Sequence, residues 1–104
     1  MNMTSAFLDP YKTEIEGLCK QHGVLQLYAF GSVLRSDFSS ESDVDFLVNF
    51  RRDGYTNAFN QYFEFKEALE ALLHRNVDLV VEKNFRNPIF KAEVEQTKRS
   101  IYAA

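Results

Sequence analysis

Asp43 and Asp45 stand two residues apart at the head of an apolar run, Val44-Asp45-Phe46-Leu47-Val48, that has the composition of a strand. A strand repeats every two residues, so both carboxylates point to the same face. Asp78 lies in a second such run, Val77-Asp78-Leu79-Val80-Val81. If the two strands lie close in a sheet, a third carboxylate joins the pair. Two carboxylates ~4 Å apart repel by up to roughly 4 kcal/mol at an effective dielectric of ~20, so the cluster calls for a cation. Magnesium suits it, as a hard ion held by one or two carboxylates together with substrate phosphates. Two ions could share the three aspartates. In a two-metal site one ion activates the attacking oxygen and the other steadies the leaving group of an in-line displacement at phosphorus.

Gly31-Ser32 supplies a complementary half. Glycine at a strand end lets backbone amides approach phosphate oxygens, and the serine hydroxyl adds a donor. If a helical turn follows over Val33-Leu34-Arg35, its N-terminus favours anions too, and Arg35 offsets charge on a triphosphate. Neither Gly-Ser nor Asp-x-Asp carries information alone. Their succession does.

These residues need elements to hold them. Asp9-Pro10 reads as the start of a first helix, with Asp9 as N-cap and Glu14 near its positive end, and Gly23 stops it. Val24 to Phe30 is rich in strand formers and runs directly into Gly31-Ser32. Residues 33 to 42 hold at most a short helical turn and a Ser-rich loop before the strand carrying Asp43 and Asp45. From about Thr56 to Leu73, the spacing of Phe59, Tyr62, Phe63, Leu69, Leu72 and Leu73 predicts a long helix with one broad aromatic face. The strand bearing Asp78 follows, then a helix opened by Asn87-Pro88, and Ser100-Ile101-Tyr102 reads as a short closing strand. Helices alternate with strands, which predicts an α/β domain layered around a small sheet.

A length of 104 residues predicts one domain spanning residues 1–104, with enough chain for a core that needs no covalent staple. The net charge of -3 supplies no basic field to hold a long nucleic acid. Cys19 is the only cysteine, which excludes an internal disulfide and points to a reducing compartment, with cytoplasm the simplest address. No secretory signal and no run of membrane-spanning length is visible.

The string Gly31-Ser32-Val33-Leu34-Arg35, then Ser42-Asp43-Val44-Asp45-Phe46-Leu47-Val48, with Asp78 later in an apolar strand, resembles the polymerase-β-like nucleotidyltransferase superfamily, above all its minimal members. The resemblance implies a mixed β-sheet with helices packed against it, and ATP and Mg2+ as substrate and metal. By that likeness Asp43 and Asp45 serve both metals, Asp78 the catalytic metal, and Gly31 and Ser32 the triphosphate. It further implies an antitoxin paired with a HEPN-domain ribonuclease toxin, silencing it by attaching AMP to a tyrosine. Ser36 departs from the pattern, since minimal members often carry glycine after the arginine.

Each residue also has an ordinary role to set beside the chemical one. Asp43 or Asp45 could face solvent, Asp78 could be a plain edge-strand residue, and Arg35 could make a surface ion pair with Asp37 or Glu41. His22 and His74 read as helix-terminal, with no metal spacing between them, and Cys19 as a buried small hydrophobe. Tyr55, Phe59, Tyr62, Phe63 and Phe65 wrap further round their helix than one buried stripe requires, so part of this set is expected to be exposed as a partner surface. Two other functions compete: an antitoxin that neutralises by covering its partner, and nucleotidyl transfer to a small molecule such as an aminoglycoside. The second lacks an acceptor-binding domain, though a homo-oligomer could build a shared pocket.

Overall fold

The computed structural model describes residues 7–34, 39, 42–51, 57–82 and 87–104. Among these, the strands are β1 (Val24–Phe30), β2 (Val44–Phe50), β3 (Val77–Val81) and β4 (Arg99–Ala103), and the α-helices are α1 (Lys12–Gln21), α2 (Ala58–Leu73) and α3 (Pro88–Thr97). The strands lie side by side in the order β3-β2-β1-β4. β1 runs antiparallel to both neighbours, whereas β3 runs parallel to β2. A parallel neighbour cannot be reached by a tight turn, and α2 provides the crossover. The result is the α/β domain that the pattern of elements predicts, with the mixed sheet and packed helices that the resemblance implies.

Alternation along the strands sorts the side chains onto two faces. Leu27, Ala29, Val44, Phe46, Val48, Val77 and Leu79 form the main core with Ile15 and Cys19 of α1 and Phe65, Leu69 and Leu73 of α2. The opposite face carries a smaller cluster, Phe30, Leu47 and Val94 of α3, flanked by Tyr28 and Val80. Asp45 and Asp78 share the parity of Leu47 and Val80, so they belong to the face on which α3 packs. α1 and α2 therefore form one layer and α3 the other.

Two local expectations are corrected. Asp9 does not cap α1. It lies inside a 3-10 turn, Asp9–Tyr11, closed by the Lys12 N–H donating to the Asp9 carbonyl, and α1 begins at Lys12 without a side-chain cap. The tighter turn places the Asp9 side chain one turn too early to meet the first free amides of the α-helix. The buried line of α2 is also displaced: it is Gln61, Phe65, Leu69 and Leu73, with Tyr62 and Leu72 only partly covered. The Gln61 side-chain amide donates to the carbonyls of His22 and Arg51, at 3.0 Å each, which fixes the helix by a polar anchor no hydrophobic pattern shows. In that rotation Phe59 is 69% and Phe63 40% exposed, their rings 4.6 Å apart. Part of the aromatic set is thus exposed as expected; Tyr55 and Thr56 fall outside the described residues.

Other expectations match. Gly23 follows α1 with φ +70°. Asn87 caps α3, its side chain accepting from the amides of Ile89 and Phe90. His22 and His74 take the C-cap positions of α1 and α2. Cys19 is fully buried, and burial, with Glu16 adding to it, pushes its thiol up to about 12.

Candidate active site

One rim of the sheet collects the end of β1 and the beginnings of β2 and β3. Phe30 is paired with Asp45, and Asp45 in turn with Asp78. Neighbouring strands lie about 4.8 Å apart, and residues in register on a parallel pair share a face. Asp45 and Asp78 are thereby adjacent, Asp45 half-buried and Asp78 exposed at the β3 edge. Asp43, also exposed, precedes the first residue of β2 and keeps the same parity.

Gly31 closes the rim from the β1 side. Its φ is +74°, a conformation that side chains with a Cβ rarely adopt. A Cβ at this position would collide with Asp45 Oδ2 and stand 3.2 Å from Asp45 Cγ. The Asp45 carboxylate therefore rests against the glycine, at the first residue of a 3-10 turn, Gly31–Leu34. Only a residue without a side chain admits both the turn and the carboxylate. The Ser32 side chain and the whole of Arg35 fall outside the described residues.

Asp43 is held through its neighbours. The Val44 amide donates to the Asn76 carbonyl at 3.0 Å. On the other side, Arg75 Nη1 donates to the carbonyls of Ser42, at 3.0 Å, and Ser39, at 2.8 Å. Ser39 and Ser42 are themselves tied by two backbone-directed bonds, Ser42 amide to Ser39 carbonyl and Ser39 amide to Ser42 Oγ, both 3.1 Å. The Arg75 guanidinium lies over the Phe7 ring, 4.7 Å from its centroid.

β3 is an edge strand, and two of its backbone groups bond to side chains of α2. The Val77 amide donates to Glu70 Oε2 at 2.9 Å, and the Tyr62 hydroxyl donates to the Leu79 carbonyl. These two bonds bracket Asp78. Arg75, Glu70 and Tyr62 are missed by a reading of the sequence that seeks catalytic types in apolar strands. Their roles rest on backbone partners, and only the break in pattern at His74-Arg75-Asn76 marks the corner.

The donor set is three hard carboxylates with no thiolate or imidazole beside them, which fits Mg2+. Among the described residues, no three His, Cys, Asp or Glu side chains converge into a metal-holding group. Next to the row, Phe90 at the start of α3 packs edge-on to Phe30, with ring centroids 6.1 Å apart, and Ile89 beside it is 78% exposed. Exposed apolar surface thus begins at α3, next to the β1 residue that pairs with Asp45.

The family model for a nucleotidyltransferase domain matches residues 12–101. An inferred protein adenylyltransferase of Methanocaldococcus jannaschii is 36% identical over 76 residues, 73% of this chain and 75% of the relative. The protein adenylyltransferase MntA of Thermococcus cleftensis is 32% identical over 91 residues, 88% of this chain and 86% of the relative. A solved structure described as an inferred minimal nucleotidyltransferase superposes with a TM-score of 0.74 at 30% identity, covering 94% of this chain and 96% of the other. A chain from the complex of a tri-AMPylated Shewanella oneidensis HEPN toxin with MNT antitoxin superposes at 0.62 with 20% identity, covering 91% of this chain and 71% of that one, a likeness of fold.

Proposed function

The chain belongs to the nucleotidyltransferase domain family, and from that premise we propose that it transfers AMP from ATP to a hydroxyl of a partner protein, with Mg2+ bound at Asp43, Asp45 and Asp78. The observation that carries this reading is the row of Asp45 and Asp78 on neighbouring strands, with Gly31, in the turn after β1, against the Asp45 carboxylate and Asp43 one step along the same face. A partner hydroxyl approaches from the exposed β3 side, where Asp78 accepts its proton as the new bond to the α-phosphorus forms. The bond from α-phosphorus to the bridging oxygen breaks, and pyrophosphate leaves. Gly31, Ser32 and Arg35 are assigned to the triphosphate, the first by its backbone and the other two by their side chains. Magnesium, when bound, neutralises charge on the phosphates and activates the attacking oxygen.

A protein acceptor is supported by the relatives of Methanocaldococcus and Thermococcus, which are named for protein adenylylation. A HEPN toxin as partner, and a tyrosine as the modified residue, extend this reading by the resemblance and by the architecture shared with the AMPylated complex. The chain then acts as an antitoxin in a reducing compartment such as the cytoplasm.

The exposed pair Phe59 and Phe63 favours a second reading, neutralisation by binding alone. One experiment separates the two. The protein is incubated with labelled ATP and Mg2+, with and without its candidate partner, and every species is weighed intact. We expect one or more AMP units on the partner, lost in Asp43→Asn and Asp45→Asn while both variants remain folded. A stable complex without any mass gain would leave only the binding role.

A further inference from the structure

We infer that Arg75 is a positioning residue for the metal site, setting Asp43 into the same frame as Asp45 and Asp78. The inference rests on the metal-dependent reading above. Asp43 lies just outside the β2 ladder, so strand pairing alone does not orient it. The peptide groups on its two sides are instead pinned by consecutive residues: the Asn76 carbonyl takes the Val44 amide, and the Arg75 guanidinium takes the Ser42 carbonyl. The same nitrogen also takes the Ser39 carbonyl, which accepts from the Ser42 amide as well.

The corner that supplies both anchors begins at His74, whose left-handed φ of 55° ends α2, and it continues two residues beyond Asn76 to Asp78. One rigid corner therefore fixes the approach of Asp43 and launches the strand that carries Asp78. Phe7, over the guanidinium, limits its swing. A planar guanidinium with several donors suits two carbonyls at once, whereas an ammonium is a point charge on a flexible stem. Partners that orient metal ligands typically change affinity by about 10- to 100-fold when removed.

The test measures Mn2+ binding by electron paramagnetic resonance of the free ion, in the presence of a non-hydrolysable ATP analogue, for the full chain and for Arg75→Gln and Arg75→Lys. Circular dichroism and thermal melting accompany each titration. We expect Mn2+ affinity to fall about 10-fold or more in Arg75→Gln and less in Arg75→Lys, with both variants folded. The ATP KM is expected to move less than kcat, because the triphosphate is assigned to Gly31 and its neighbours. Affinity within twofold of the parent in folded Arg75→Gln would overturn the inference. So would loss of fold in both, which would assign the arginine to the fold alone. Absence of Mn2+ binding in the parent chain would instead overturn the metal-dependent reading.

Discussion

Gly31 carries two constraints that act on the same atom: a positive φ and the Asp45 carboxylate packed where a Cβ would stand. For any other residue the left-handed conformation costs about 1–2 kcal/mol, and here the carboxylate must also move. Gly31→Ala is expected to lower stability by about that amount, read as a shift in the thermal midpoint. It is also expected to reduce AMP transfer by about 100-fold, the scale associated with a misplacement near 1 Å. The placement of this residue beside the aspartates was legible in the sequence, because Gly31 follows one apolar strand and Asp43, Asp45 and Asp78 stand at the heads of two others. Arg75 was not, since its partners are backbone carbonyls of Ser39 and Ser42, which no side-chain pattern encodes.

Among the elements, β3 shows most clearly what helix α2 does for the site. A strand with one open side tends to pair with whatever strand it meets. Glu70 takes the Val77 amide and Tyr62 the Leu79 carbonyl, so part of the open edge beside Asp78 is met by side chains of α2. Burial raises the Tyr62 hydroxyl pKa above its ordinary 10.0; Lys66 opposes that shift, while Asp78 and Glu70 add to it. A raised acid stays protonated longer in the folded state, so its contribution is complete below the ordinary value and is lost as pH climbs through the folded one. Tyr62→Phe is expected to cost about 1 kcal/mol in urea unfolding at neutral pH, the usual net worth of one hydrogen bond. Relative to the parent, the variant should lose less stability as pH rises above 10, which the same titration checks. The strands themselves were readable from composition, and β4 runs one residue beyond the expected segment at each end. The rotation of α2 was not readable, because the buried glutamine that anchors it looks like a surface residue in sequence.

At the scale of the whole molecule, the carboxylates and the largest core stand on opposite faces of one sheet. The α/β alternation announced the layers. It did not announce which helix shares the carboxylate face, because that depends on strand order, and order is a property of pairing between distant segments. Cys19 reports on the integrity of the layer away from the site. Its thiol is fully buried and pushed up to about 12, so at pH 8 a disulfide-exchange reagent should fail to label the folded chain. Labelling is expected to follow the unfolding curve in urea; rapid reaction in the absence of denaturant would show that α1 opens locally.

The seven-residue strands β1 and β2 set a distance as well as a direction. At about 3.3 Å per residue, the rim where β1 enters and β2 and β3 leave lies some 20 Å from the rim that holds Asp45. The molecule thus has two ends along its strands, and a change confined to the distant rim is expected to leave the carboxylate geometry untouched.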